Sequence, residues 1–239
     1  MIQSIDNLRA GTKEEASWVT APTLGANHTN EEWLFVDVGY KQFHPNEKEW
    51  SFGVLDGLYP SHDAARAKAY TADFGQVCKL VKQKVSCVAT IPLNLVLEAP
   101  LSMAMHNGCP VGRDIEIKGG ATRYWYTGAG VAVMTAAGHL LREVVYGSLH
   151  GGPANVIRRP VVLFEGFCAF KTKDEESKSD DSANVKKAKS DHIKDVLALR
   201  EALLDRKVFE PLPHTGQDIC SISSLYGLPD FGVPAVIKV

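Results

Sequence analysis

Three acidic residues stand where apolar segments of the chain end or are interrupted. Asp37 follows Trp33-Leu34-Phe35-Val36, Glu98 follows Leu95-Val96-Leu97, and Asp195 lies among the apolar residues of SDHIKDVLALREALL at positions 190–204. An ionised carboxylate beside a sheet interior is costly unless it is paired or holds a cation. Taken singly, each acid has a plain reading: Asp37 caps a turn with Gly39, Glu98 is a strand-end acid in water, and Asp195 is a solvated first-turn acid. Taken together they suit divalent-metal chemistry. Mg²⁺ accepts oxygen ligands and keeps several waters, so a few carboxylates suffice. Two such ions ~3.5–4 Å apart can activate a water and stabilise a leaving oxygen. His192 precedes Asp195 by three residues and shares its helix face. It could orient or deprotonate the water, or donate a hydrogen bond to a carboxylate. Asp191, four residues before Asp195, is either a fourth acid or, with Ser190, the helix N-cap.

The elements that must position these residues are read from hydrophobic periodicity. Residues 33–40 (WLFVDVGY) form a buried strand, and 50–57 (WSFGVLDG) a second strand antiparallel to it. Helix is expected over 63–82, with Tyr70, Phe74, Val77 and Val81 on one face, then strand, loop at Pro92 and strand over 85–97. Residues 101–126 carry no firm element. A helix is expected over 130–146 with Val131, Met134, Gly138, Leu141 and Val145 inward, and a β-rich run over 159–170. Residues 172–190 hold five acids and five lysines among few apolar residues, which reads as a flexible low-complexity insertion. A late helix over 191–206 has Ile193, Val196, Leu197, Leu203 and Leu204 as its core stripe. A second strip, His192, Asp195, Leu199 and Ala202, turns from polar to apolar along the helix, and a terminal strand closes the chain at 233–239. This order predicts an α/β fold: a mixed sheet flanked by helices, one domain over 1–239, with the insertion before the late helix.

With 239 residues, 45% of them hydrophobic and 23% charged, the chain has material for a sizeable core. A net charge of −2 excludes a globally basic nucleic-acid binder. No apolar run is long enough to cross a bilayer, and the N-terminal residues lack an apolar signal core, so a cytoplasmic location without membrane contact is expected. Five cysteines without a CxxC pair read as reduced and mostly buried, with no zinc site.

Asp-Val-Gly on the first strand, a Glu after a later central strand, and D-H-x-x-D-V-L-A-L on a late helix together resemble the ribonuclease H-like superfamily, most closely its RuvC-type branch of resolvases and nucleases. Glu98-Ala99-Pro100-Leu101-Ser102, the Arg-containing stretch from Arg113 to Tyr126, and the late β segment ending in Glu165-Gly166 are similar to a group of bacterial and archaeal predicted nucleases of the same superfamily. The usual hairpin from second to third strand is not evident in the sequence. The resemblance implies a metal-dependent nuclease acting on DNA or RNA, with Asp37, Glu98 and Asp195 ligating Mg²⁺ or Mn²⁺, Asp191 near a further acid position, and His192 near the attacking water. Glu165 either joins the acidic cluster or pairs with a Lys.

Arg113, Lys118 and Arg123, with Trp125 and Tyr126, put cations and stacking faces in one segment, which suits a phosphate backbone and an unpaired base. The same residues suit an ordinary surface loop. Arg158, Arg159, Lys171 and Lys173 could add a positive rim. Two other classes compete: a non-catalytic nucleic-acid or protein binding module on the same fold, and an ATP-using enzyme of the actin and sugar-kinase type. The latter also begins with Asp-x-Gly, but its second phosphate-binding hairpin and adenosine motif are not found.

Overall fold

The computed structural model describes residues 18–19, 31–38, 52–59, 68–86, 91–118, 121–122, 128–150, 159, 161–168, 181–210, 216–228 and 232–239. Its centre is set by two parallel strands, β2 (Glu31–Asp37) and β5 (Leu93–Glu98). Both are nearly continuous apolar runs, as strands covered on both faces must be. Side chains alternate between faces with period two. Leu34, Val36, Leu93, Leu95 and Leu97 therefore enter one core cluster, and Trp33, Phe35 and Val96 enter the other.

Around this pair the sheet grows both ways. On one side β3 (Phe52–Tyr59) and β4 (Lys68–Ala72) continue as an antiparallel meander. On the other side β10 (Val161–Phe167) and β13 (Ala235–Lys238) run parallel to β5, and β11 (Val208–Phe209) closes antiparallel to β13. The order is β11-β13-β10-β5-β2-β3-β4, and β1 (Trp18–Val19) also pairs with β10. Helices α1 (Phe74–Val85) and α2 (Ala129–His150) supply Val77, Val81, Met134, Ala137 and Leu141 to the first cluster. Helix α3 (Asp181–Leu204) supplies Val196, Leu199, Ala202 and Leu203 to the second, where Trp33 and Phe164 lie 5.1 Å apart between ring centroids. The α/β class and the helix-flanked mixed sheet are as the sequence predicts. Among the described residues no helix is long and apolar enough to cross a membrane.

Between β5 and α2 lies a smaller sheet, where the sequence offers no firm element. Strands β6 (Ser102–His106) and β7 (Cys109–Val111) form a hairpin. Its Asn107-Gly108 turn has φ of 49° and 76°, the left-handed conformation that two-residue hairpins require. Then come a 3₁₀ turn (Asp114–Glu116) and the short pair β8 (Ile117–Lys118) and β9 (Ala121–Thr122). Late in the chain β12 (Asp218–Ser221) joins β6, followed by the one-turn helix α4 (Ser223–Tyr226).

Several expectations are corrected. The stretch 63–82 is not one helix: Lys68–Ala72 is strand, and the helix starts at Phe74. Asp73 is the reason. Its carboxylate accepts the Gln76 N–H at 2.7 Å while the Gln76 side chain accepts the Asp73 N–H at 2.9 Å. This reciprocal capping box fixes the helix start and frees the preceding residues to pair with β3, supplying the third strand of the meander. Val85 ends that helix instead of opening a strand. The polar segment 172–190 is helical from Asp181 onward. Low apolar content argues against burial, not against helix, and Ala and Lys are good helix formers. Asp191 and Ser190 are consequently interior to α3 and cap nothing. Leu197 and Val131 are exposed, while Leu199 and Leu140 are buried beside the expected Val196, Leu203, Met134, Leu141 and Val145. Of the cysteines described, Cys78 and Cys168 are buried and Cys109 and Cys220 exposed, all unbridged; burial pushes the Cys78 thiol up to about 11.

The Asp73 cap is exposed, so its loss touches only the helix start. Asp73→Ala is expected to lower stability by about 1 kcal/mol, a Tm drop of about 2–4 °C for a chain of this size. Asp73→Asn, which retains the acceptor, should restore most of it in thermal unfolding.

Candidate functional site

Strand register and alternation build the site. Asp37 and Glu98 are the last residues of β2 and β5 and are direct partners across the parallel pair. Asp37 shares a strand face with Trp33 and Phe35, and Glu98 with Val96, so both carboxylates leave the sheet on the face covered by α3. The carboxyl end of parallel strands is where open α/β sheets bind ligands. From above, α3 lays Leu199 and Ala202 into the core and carries Asp195 and His192 one and two turns further along the same strip. Carboxylate oxygens of Asp37, Glu98 and Asp195 all come within 4.8 Å of one another, with Asp37 buried and the other two half-buried. His192 Nδ1 lies 2.6 Å from Asp37 Oδ2. Opposite an ionised Asp37, which can only accept, Nδ1 is the donor of this bond.

The depth at which α3 sits is set by Gly166 on β10. A Cβ there would stand 2.8 and 2.9 Å from the two terminal carbons of Leu199 and 3.4 Å from the Glu98 Cα. Leu199 is fully buried, so its side chain gives way only by displacing packed neighbours. The missing side chain lets α3 descend until Asp195, one turn from Leu199, reaches Glu98.

Like charges this close act on one another. Two ionised carboxylates separated by 4.8 Å repel by about 3–4 kcal/mol at an effective dielectric of ~20. Three such groups favour a bound proton or cation, and hard oxygen donors match Mg²⁺ or Mn²⁺ better than softer metals. The arrangement can hold such an ion with Asp37, Glu98 and Asp195 as ligands. Asp191 is not among the clustered acids: it is half-exposed and sits 3.4 Å from Lys194 on its own helix.

The remaining expectations fare differently. Glu165 does not join the trio, because alternation along β10 turns it to the opposite face, where it is the register partner of Leu97. Among the described residues it pairs not with a Lys but with Arg113, whose Nη2 lies 2.7 Å from Oε1. Arg113 is expected on a nucleic-acid surface, yet it is only 2% exposed and its guanidinium is spent on Glu116, Glu165 and Ser102. Arg159 is likewise buried, bonded to Glu32 and to the Ile91 and Pro92 carbonyls. The Lys118 backbone belongs to β8, while Arg123, Trp125, Tyr126, Gly39, Arg158, Lys171 and Lys173 lie outside the described residues.

Sequence reasoning missed the Glu116–Arg113–Glu165–Ser102 network. Its only local signal is an Arg and a Glu three residues apart. Two buried carboxylates share one guanidinium, and burial first, then the repulsion of Glu165, outweighs Arg113 and raises the Glu116 carboxyl above its ordinary range. Arg113 is held more firmly protonated, its two carboxylates overcoming the desolvation that opposes the charge.

The fold and this geometry together define an α/β protein with a three-carboxylate cluster and an attached histidine at the carboxyl end of its central strands. No protein-family model matches the chain, and no curated protein and no solved structure matches it significantly.

Two outcomes follow from this packing. Gly166→Ala should destabilise by about 1–3 kcal/mol through overpacking, and adding Leu199→Ala should cost less than the sum of the single changes, as a double-mutant cycle in denaturant would measure. The raised Glu116 carboxyl means that the folded state binds its proton more tightly than the unfolded chain. Its contribution is therefore greatest below the unfolded value of about 4.5 and is lost as pH rises through the higher folded value. Over that rise the stability of the unmodified chain should fall relative to Glu116→Gln when thermal unfolding is followed from acid to neutral pH.

Proposed function

We propose that the protein is a metal-dependent nuclease with a ribonuclease H-like fold, hydrolysing phosphodiester bonds of DNA or RNA. The observation that carries the reading is the convergence of Asp37, Glu98 and Asp195 from three distant segments to within 4.8 Å at one end of the sheet. An antiparallel β2-β3-β4 meander followed by parallel β5 and β10 is consistent with the mixed sheet of that superfamily. In this reading Mg²⁺ or Mn²⁺ on the three carboxylates supplies activation of the attacking water and stabilisation of the leaving oxygen. Asp37, the most buried ligand, is held in place by the His192 bond, as ligands commonly are by a second layer of contacts. His192 Nε2, on the ring edge away from Asp37, takes a proton from the water or orients it. Asp195 reaches the cluster from a helix, so its distance to the strand acids follows the seating of α3. A non-catalytic binding module on the same fold is the competing reading. The burial of Arg113 and Arg159 favours it, since both are removed from any basic groove.

Labelled single-stranded, double-stranded and branched DNA and RNA, incubated with Mn²⁺, Mg²⁺ or EDTA, decide between them. The expected result is metal-dependent cutting that Asp37→Asn and Asp195→Asn abolish and that His192→Ala slows by roughly 10²–10⁴-fold. Absence of cutting on every substrate, with no heat of Mn²⁺ binding in calorimetry, would sink the nuclease and leave a binding module.

A further inference from the structure

We infer that Glu165 is a positioning residue for Glu98, acting through the backbone from the opposite face of the sheet; the inference rests on the metal-centre reading above. Glu98 is the last residue of β5, and after three intervening residues the chain enters a different sheet as β6. Ala99 N–H donates to the Leu97 carbonyl at 2.9 Å, and Pro100 has its φ fixed by its ring. The next two amides end on a single carboxylate oxygen. Glu165 Oε2 accepts the Leu101 N–H at 2.9 Å and the Ser102 N–H at 3.2 Å, with the Ser102 hydroxyl at 3.4 Å. The tether therefore begins at Leu97, continues through Ala99 and Pro100, and ends at Leu101 and Ser102. Glu98 is enclosed between its two ends.

Glu165 is itself immobilised. Arg113 donates Nη1 to Oε2 at 2.9 Å and Nη2 to Oε1 at 2.7 Å, and Nη1 also reaches the Ser102 hydroxyl at 2.8 Å. Glu116 holds the other side of the guanidinium through Nε at 2.9 Å and Nη2 at 2.7 Å. None of these charged groups is more than 2% exposed. A buried charge network of this size gives no clear stability advantage over apolar packing. Directional, charge-assisted bonds to two backbone amides do fix geometry. The beneficiary is the residue whose backbone they bracket. Asp37 is held separately by His192 and Asp195 by α3, so loss of Glu165 loosens one ligand of three.

The test is Mn²⁺ titration of the full chain by calorimetry, at a temperature where every variant is folded, alongside amide hydrogen exchange. In Glu165→Met, which has no acceptor for the two amides, Arg113 keeps Glu116 as its partner, so the variant retains a paired cation. We expect Glu165→Met to lose exchange protection at Leu101 and Ser102 and to bind Mn²⁺ roughly tenfold or more weakly, while Ser102→Ala, which keeps both amide bonds, stays within about twofold. Wild-type affinity in Glu165→Met, or equal weakening in Ser102→Ala, would overturn the positioning role and leave the metal centre standing. A wild-type chain that binds no Mn²⁺ would instead remove the metal centre, and this inference with it. If Glu165→Met does not fold, the charge-free variant R113M/E116Q/E165M carries the same readouts.

Discussion

The in-register parallel pairing of β2 with β5 is the constraint on which the rest depends. It sets Asp37 beside Glu98 at the same sheet edge and on the same face. A slip of one residue in either strand would turn that strand's carboxylate, and all its other side chains, to the opposite face. The register is protected by burial on both sides, since Leu34 and Val36 belong to one core cluster and Trp33 and Phe35 to the other. The strand that carries Asp37 is thus held by the same alternation that builds the core. The charged residues at the far end of β2 add to this: Glu32 is bonded to Lys84 of α1 and to Arg159. Although burial works against ionisation there, these two cations hold the Glu32 carboxyl below its ordinary range.

The two faces of the sheet contribute unequally to the site. The α3 face supplies the side chains: Asp37 and Glu98 from below, Asp195 and His192 from above. The opposite face anchors the backbone that leaves Glu98. Glu165 and Gly166, consecutive in β10, illustrate the division. Glu165 points away from the acids and grips the chain that leaves Glu98, while Gly166 points toward α3 and admits Leu199. Adjacent residues on one strand therefore bear on two different carboxylates of the cluster. One acts by hydrogen bonds and the other by the absence of a side chain.

Much of the architecture was legible in the sequence because long apolar runs have few alternatives. The β2 and β5 segments, helix α2 and the apolar strip of α3 all follow from periodicity. The errors fall where local signals compete. A helical spacing across Tyr70, Phe74, Val77 and Val81 concealed the start of α1, which Asp73 decides through its cap, and with it the strand β4. The polar stretch before α3 reads as disorder by composition, yet from Asp181 the chain is helical, since helix formation needs backbone bonds and suitable residues, not burial. The small sheet of β6, β7 and β12 had no periodic signal, its strands being short and one of them arriving from more than a hundred residues later.

For the site, residue type alone nominated Asp37, Glu98, Asp195 and His192, because an acid at the end of an apolar run carries a desolvation cost that calls for a partner. It could not separate them from Asp191, or Glu165 from the cluster. Those distinctions depend on which face a strand residue takes and how deep a helix sits. Arg113 is the clearest case: in the sequence it is one cation among several near aromatic residues, a surface reading. In the fold it is buried between two carboxylates and a serine hydroxyl. The sequence by itself determined where carboxylates interrupt apolar segments and which helix and strands would carry them, since hydrophobic periodicity is a local property. Only the tertiary structure decided which carboxylates meet a histidine and which meet an arginine, because strand register and helix seating are set by packing between segments far apart in the chain.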